Sequence, residues 1–353
     1  MQALDHARIE AFAGQIATEI GAALNAALVT VGDELGLYRA MADGQPISAG
    51  ALAARTNTHE RYVREWLNAQ AAGGFVSYDS AEDSYALPAE HAFILADESS
   101  PVAMAGIFQA ATAVMDGRAR VADRFRSGGG VGWHEHHHGL FCGTERAFGA
   151  NYRMNLVSEW LPALTGVVEK LERGAKVADV GCGHGASTIL MAQAFPASTF
   201  TGIDAHAASI ATAIARAENA GVADRVQFEV ADATEYAGGS YDLIAFFDSL
   251  HDLGDPVSAA RHARAALADD GSCMLVEPFA GDRIEDNLNP VGRMYYGFST
   301  LVCTPGSLSQ PGGAALGTQA GEARLREVMI EGGFSSVRRA AESPLNLVLE
   351  ARA

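Results

Sequence analysis

From residue 176 onward the chain alternates short apolar runs with helical stretches, and this rhythm constrains its fold more than any other feature. Val177 to Val180 leads to a helical stretch, Ala186 to Phe195, and then to the strand-like runs Thr199 to Ile203, Val226 to Val230 and Tyr241 to Phe247. The helix Val257 to Leu267 and the run Ser272 to Glu277 continue the pattern. Strands that all point one way need crossover helices of one hand, so the alternation predicts a doubly wound, Rossmann-like α/β sheet. Near the end, the helix Glu322 to Glu331 precedes the runs Ser335 to Ala341 and Leu345 to Ala351, joined by Glu342-Ser343-Pro344. So short a connection predicts a closing hairpin that puts an antiparallel strand into the sheet.

The first half has a different character. Ile9, Phe12, Ile16, Ile20 and Leu24 recur at helical spacing and predict a helix over Asp5 to Leu28 with one apolar face. Glu34 to Met41 reads as a short helix, Ser48 caps another through Arg55, and Thr58 caps a third that stops at Gly73 and Gly74. Phe75, Val76 and Tyr78 then face Tyr85 and Leu87 across a polar turn, the signal of a hairpin. Three short helices and a hairpin make an α-helical winged-helix domain. Ser100 and Pro101 open a further helix with Met104, Ile107, Phe108, Ala111 and Met115 on one stripe. The glycines 128 to 130 mark a boundary, giving residues 1–126 as the helical domain, 127–165 as linker and cap helices, and 166–353 as the α/β domain.

Charge limits the partners. With 25 Lys+Arg against 43 Asp+Glu the chain carries a formal charge of −18, which repels phosphate backbones and anionic membranes. Between Gln45 and Glu90 only Arg55, Arg61 and Arg64 are basic, so the winged helix is expected to pack or dimerise rather than read DNA. The apolar stretch Gly21 to Gly32 is short of a membrane span, and the first residues lack the basic-then-apolar order of a signal peptide. Cys142, Cys182, Cys273 and Cys303 show no paired spacing and are expected as free thiols in the cytoplasm.

Between the first strand and the first helix of the α/β half lies Asp179-Val180-Gly181-Cys182-Gly183-His184-Gly185, where glycines let backbone approach a ligand that a Cβ would exclude. Gly181, Gly183 and Ala186 also satisfy the dinucleotide pattern G-x-G-x-x-A, which keeps an NAD-dependent oxidoreductase open. Asp204 ends the second strand and Asp232 follows the third in Val230-Ala231-Asp232-Ala233. These acids, in this order on these strands, resemble the class I S-adenosylmethionine-dependent methyltransferases over roughly Lys176 to Ala353. The resemblance implies that Asp179, Gly181, Gly183 and Gly185 hold the amino-acid end of S-adenosylmethionine, Asp204 the ribose, and Asp232 with Ala233 the adenine. It also places Phe247 and Asp248 beside the cofactor. Small-molecule O-methyltransferases of this kind commonly dimerise through an N-terminal winged helix, a plan similar to the whole chain.

The stretch Phe247-Asp248-Ser249-Leu250-His251-Asp252-Leu253-Gly254-Asp255 resembles the H-D-W-x-D segment of plant-type O-methyltransferases, with Leu253 in place of Trp. It implies that His251 is the general base, or alternatively that it positions the acceptor; no orienting acid is evident in the sequence. Trp133-His134-Glu135-His136-His137-His138 matches H-E-x-x-H, but the glycines around it oppose the helix a zinc hydrolase needs, so no metal is expected. It reads instead as a cap or hinge. Residues 278–319 form a second cover with the aromatic helix candidate Arg293, Met294, Tyr295, Tyr296 and Phe298. Trp133, His134, Met294, Tyr295 and Phe298 are therefore the expected lining of a hydrophobic or aromatic acceptor site. The expectation is a homodimeric cytoplasmic methyltransferase that uses S-adenosylmethionine, releases S-adenosylhomocysteine and methylates a small molecule. A dehydrogenase or a DNA-binding regulator are the alternatives.

Overall fold

Asp5 sets the start of the first helix. In the computed structural model, which describes residues 4–353, its carboxylate accepts the backbone N–H of Ala7 at 3.0 Å and caps His6–Glu34. The helix is longer than the apolar spacing predicts, because Ala26, Val29 and Gly32 continue a buried face toward its end. Ile9, Phe12, Ile16, Ile20 and Leu24 all lie exposed, Leu24 at 64%. By length and composition the helix is long and apolar enough to cross a membrane, with mean hydropathy 1.2 over 18 residues. This corrects the shorter stretch, Gly21 to Gly32, read from the sequence.

The next helices, Leu37–Ala40, Ala49–Thr56 and Glu60–Ala72, carry the hairpin of strands β1 (Ser77–Asp79) and β2 (Ser84–Ala86), in which Tyr78 faces Tyr85. Ser48 caps the middle helix through Ala51 N–H at 3.2 Å. The third is capped by His59 Nδ1 rather than by Thr58, whose hydroxyl lies 2.8 Å from that of Thr56. Trp66, Leu67, Leu52 and Tyr38 fill the core, and their polar edges are satisfied: Trp66 Nε1–H donates to Leu28 O and Tyr38 O–H to Gln70 Oε1. On the outer side Arg61 pairs with Glu65, and Arg64 with Glu60 and Asp83. The third helix thus pairs both its guanidinium groups with nearby carboxylates, two of them its own.

The helix Ala105–Met115 presents a different face from the one its large residues predict. Ala105, Gly106, Ala110, Ala113 and Val114 are buried while Met104 and Met115 are exposed. The cause is a close crossing: a Cβ on Gly106 would come within 2.8 Å of Gly143 O, and only small residues fit there. His138–Ala150 accordingly belongs with the residues up to Met115 in one compact unit, while Asp116–His137 and Asn151–Ala353 form the other. The chain thus passes between the two units after Met115, His137 and Ala150.

In the second unit the alternation closes into one sheet. Its strands are β3 (Lys176–Val180), β4 (Thr199–Asp204), β5 (Val226–Val230), β6 (Tyr241–Phe247), β7 (Leu267–Pro278), β8 (Ser336–Glu342) and β9 (Asn346–Arg352). Their order is β5-β4-β3-β6-β7-β9-β8, parallel from β5 to β7 and antiparallel where β9 meets β7 and β8. Strand order reverses between β4 and β6 around β3, which opens a crevice at the carboxyl ends. The middle strands are apolar along most of their buried length because helices cover both faces, with Ile244, Phe246, Leu275 and Leu349 fully buried.

Candidate functional site

The glycine loop leaves β3 at this crevice. Gly181, Gly183 and Gly185 take φ values of +79°, +53° and +78°, a region that side chains with a Cβ rarely enter. A Cβ on Gly181 would also press to 2.5 Å from Ser249 Cβ, whereas at Gly183 the space is open. Gly183 N–H donates to Asp204 Oδ2 at 2.9 Å and His206 N–H to Oδ1 at 2.8 Å, so the acid ending β4 pins the loop. Each oxygen keeps a lone pair for a further donor. Burial raises the Asp204 carboxyl above its usual range, against these two hydrogen bonds.

Asp179 lies at the base of the loop and is fully buried. Its Oδ2 accepts the hydroxyls of Ser187 and Thr188, each at 2.6 Å, while Oδ1 is buried with no partner. Burial pushes this carboxyl up to about 6. An orphaned carboxylate oxygen costs about 1 to 3 kcal/mol, and a bound cationic ligand would relieve it. Asp232, after β5, is exposed and folds Thr234 against its Oδ1 through both backbone N–H and hydroxyl. Ala233 packs on the core.

Beyond β6 the chain makes a sharp turn, with Asp248 at φ +50°. Asp248 does not open toward the loop alone: Oδ2 accepts Tyr152 O–H at 3.0 Å and Oδ1 accepts Asn346 Nδ2 at 2.8 Å. Burial, then the nearby Glu277, pushes it up to about 8. The Phe247 ring packs at a tilt on that of Tyr152, centroids 5.3 Å apart. His251 follows on a short turn, Leu250–Asp252, and is buried. Its Nδ1 lies 2.5 Å from Glu277 Oε2, while Glu277 Oε1 accepts Leu250 N–H at 3.0 Å. The orienting acid that the sequence does not reveal is therefore Glu277, at the end of β7. His251 Nε2 lies 3.2 Å from Asp252 Oδ1. Burial alone would lower the imidazole, but the charges of Asp252 and Glu277 outweigh it and raise it well above the ordinary histidine range.

The expected covers need correction. Trp133–Glu135 is a 3-10 turn, and a new helix starts only at His138, so His134 and His138 do not share a helical face and the zinc-hydrolase geometry is not formed. Within that segment His134 is exposed, and His136, which the sequence does not single out, is buried with Nε2 unpartnered. Trp133 is half-buried. In the helix Pro290–Phe298, Met294 and Phe298 are half-buried, but Tyr295 is buried and gives its hydroxyl to Leu345 O at 2.7 Å, which makes it an anchor of the hairpin rather than a lining residue.

Residues 22–97 match the model of a Rv2258c-like winged helix-turn-helix domain, and residues 171–319 that of a methyltransferase domain. Among sequence relatives, 27-O-demethylrifamycin SV methyltransferase of Amycolatopsis mediterranei is 37% identical over 30% of this chain and 39% of its own length. The chain spans well under half the length of the curated relatives it matches first. Solved structures share the whole fold: mitomycin 7-O-methyltransferase superposes at a TM-score of 0.68, with 20% identity over 99% of this chain and 100% of that one. Human N-acetylserotonin methyltransferase, in complex with S-adenosylmethionine, gives 0.70, with 15% identity over 100% of this chain and 99% of that one.

Proposed function

We propose that this chain, a winged-helix protein with a class I methyltransferase domain, moves the methyl group of S-adenosylmethionine to an oxygen of a small hydrophobic or aromatic acceptor. The observation that carries this reading is the meeting, at one end of the sheet, of a glycine loop backed by an orphaned carboxylate and a histidine held by a buried glutamate.

Asp179 Oδ1 takes the ammonium of the cofactor, and the open backbone at Gly183 lies along its amino-acid end. Asp204, already fixed by two N–H groups, has lone pairs left for the ribose hydroxyls, and Asp232 with Ala233 borders the adenine. When bound, S-adenosylmethionine supplies an electrophilic methyl group on a good leaving group. Glu277 holds His251 at Nδ1 and Asp252 Oδ1 stands 3.2 Å from Nε2, so the two carboxylates stabilise the imidazolium that forms once the deprotonated ring has taken the acceptor's proton. Met294, Phe298 and Trp133 present apolar surface for the acceptor's body. The neighbours above, named for oxygen methylation or for an N-acetylated amine acceptor, support a small molecule as partner.

In the same reading a second copy of the chain covers the exposed stripe Ile9, Phe12, Ile16 and Ile20, and the enzyme works in the cytoplasm, where its four free cysteines are stable. The winged helix does not engage nucleic acid in this reading, because between Gln45 and Glu90 acidic residues outnumber its arginines. The test is a screen of phenols, catechols and aliphatic hydroxyls with methyl-labelled cofactor, followed by His251→Gln on the acceptor found. Turnover should fall at least about a hundredfold with cofactor affinity unchanged. Parental turnover in that variant would remove His251 from the chemistry.

A further inference from the structure

His251, Asp252 and Cys303 form a cluster that the methyl-transfer reading uses only in part. Their side-chain ligand atoms, one from each residue, lie within 4.8 Å of one another. His251 and Cys303 are buried, and Asp252 is half-buried. Cys303 closes a π-helical turn, Ser299–Cys303, a wide turn that recurs at functional sites. Asp252 Oδ1 is itself buried and faces His251 Nε2 at 3.2 Å, and the Cys303 thiol lies within hydrogen-bonding reach of both side chains. Two ligands at about 2.0 to 2.1 Å from a tetrahedral ion stand about 3.3 Å apart, which is the observed separation to within a few tenths of an ångström. The remaining imidazole nitrogen, Nδ1, is held by Glu277 Oε2, the outer carboxylate that metal-bound histidines usually have.

We propose that His251 Nε2, Asp252 Oδ1 and Cys303 Sγ form a site for a divalent transition cation, best matched by zinc, and that a cation there switches methyl transfer off. One nitrogen, one oxygen and one sulfur suit a borderline-soft ion that accepts four ligands, with water in the fourth position. Binding sends the thiol proton of Cys303 and the Nε2 proton of the imidazolium to solvent and engages the Nε2 lone pair, so His251 can no longer accept a proton from an acceptor. The binding half of the proposal stands apart from the proposed function; the switching half rests on it.

Cobalt is the probe. Titrated into the whole 353-residue chain, it should give a thiolate-to-cobalt charge-transfer band and tetrahedral visible bands that saturate at one equivalent and vanish when zinc is added. Cys303→Ser should lose the charge-transfer band. Cys142→Ser should keep it, although Cys142 Sγ lies 3.1 Å from His138 Nε2 and is the competing thiol–imidazole pair. Glu277→Gln should weaken cobalt binding about ten- to a hundredfold. Zinc-edge absorption on the parent protein, which needs no variant to fold, should show one sulfur at about 2.3 Å with nitrogen and oxygen neighbours. A zinc shell without sulfur, or a band that survives Cys303→Ser and disappears with Cys142→Ser, overturns the site. With a labelled-methyl assay running, one equivalent of zinc should stop turnover and a chelator restore it. Full turnover with zinc bound overturns the switch alone, and an enzyme that binds zinc yet methylates nothing tells against the proposed function instead.

Discussion

Glu277 Oε2 lies 2.5 Å from His251 Nδ1 while its other oxygen accepts the backbone N–H of Leu250, so a single buried carboxylate fixes both the ring and the turn that carries it. This arrangement makes Glu277→Gln informative. A glutamine that keeps its carbonyl on Leu250 N–H turns its amide N–H groups toward Nδ1, which must then accept a hydrogen bond. The ring proton moves to Nε2, and the lone pair facing the acceptor is lost. Turnover should drop about a hundred- to ten-thousandfold with KM for the acceptor changed far less. A loss confined to KM would show that Glu277 shapes the pocket and leaves the tautomer alone.

Asp204 is the second test. Removing its carboxylate unpins the glycine loop and takes away the ribose partner, so Asp204→Ala should lose about 1.5 to 3 kcal/mol of S-adenosylhomocysteine binding, roughly ten- to a hundredfold. Asp232→Ala should weaken binding less, because that side chain is exposed. Calorimetric titration of both folded variants checks the order.

The Asp179 carboxyl, pushed up to about 6 by burial, ties cofactor affinity to pH. Only the ionised form attracts an ammonium group. Affinity should be level well above that value, fall as the pH drops through it, and decline about tenfold per further unit. Titrations from about pH 8 to 5 measure this, with Asp179→Asn as the control that should bind weakly and lose the slope. An equally steep slope in that variant assigns the titration to another group.

The exposed stripe on His6–Glu34 predicts a dimer. Replacing Ile16 by Asp in its middle should convert the protein to a monomer in light scattering, since a buried charge without a partner costs more than a small interface returns. A monomeric parent protein contradicts the assignment.

The sheet was legible from residue order because parallel strands buried on both faces must be apolar and glycine must sit where β3 turns into its helix. The positions of Asp179, Asp204 and Asp232 were legible for the same reason: each lies near the end of, or just after, a strand that periodicity locates. Glu277 was not, although it ends the run Ser272 to Glu277, because 26 residues separate it from His251 and only the pairing of β6 with β7 brings them together. In the histidine run no spacing says which ring turns inward, and the 3-10 turn makes it His136 instead of His134. Tyr295 read as lining because aromatic residues suit pockets, yet its hydroxyl finds a carbonyl 50 residues away. The helix Ala105–Met115 inverted its expected face because a backbone crossing at Gly143 selects small residues over large ones.

S-adenosylhomocysteine and NAD, each titrated into the parent protein in a calorimeter at neutral pH, separate the two readings of the glycine loop. Saturable one-to-one binding of S-adenosylhomocysteine is expected, lost or weakened in Asp204→Ala, with no heat from NAD. Binding of NAD with none of S-adenosylhomocysteine would contradict the methyl-transfer reading and turn the glycine loop over to a dehydrogenase.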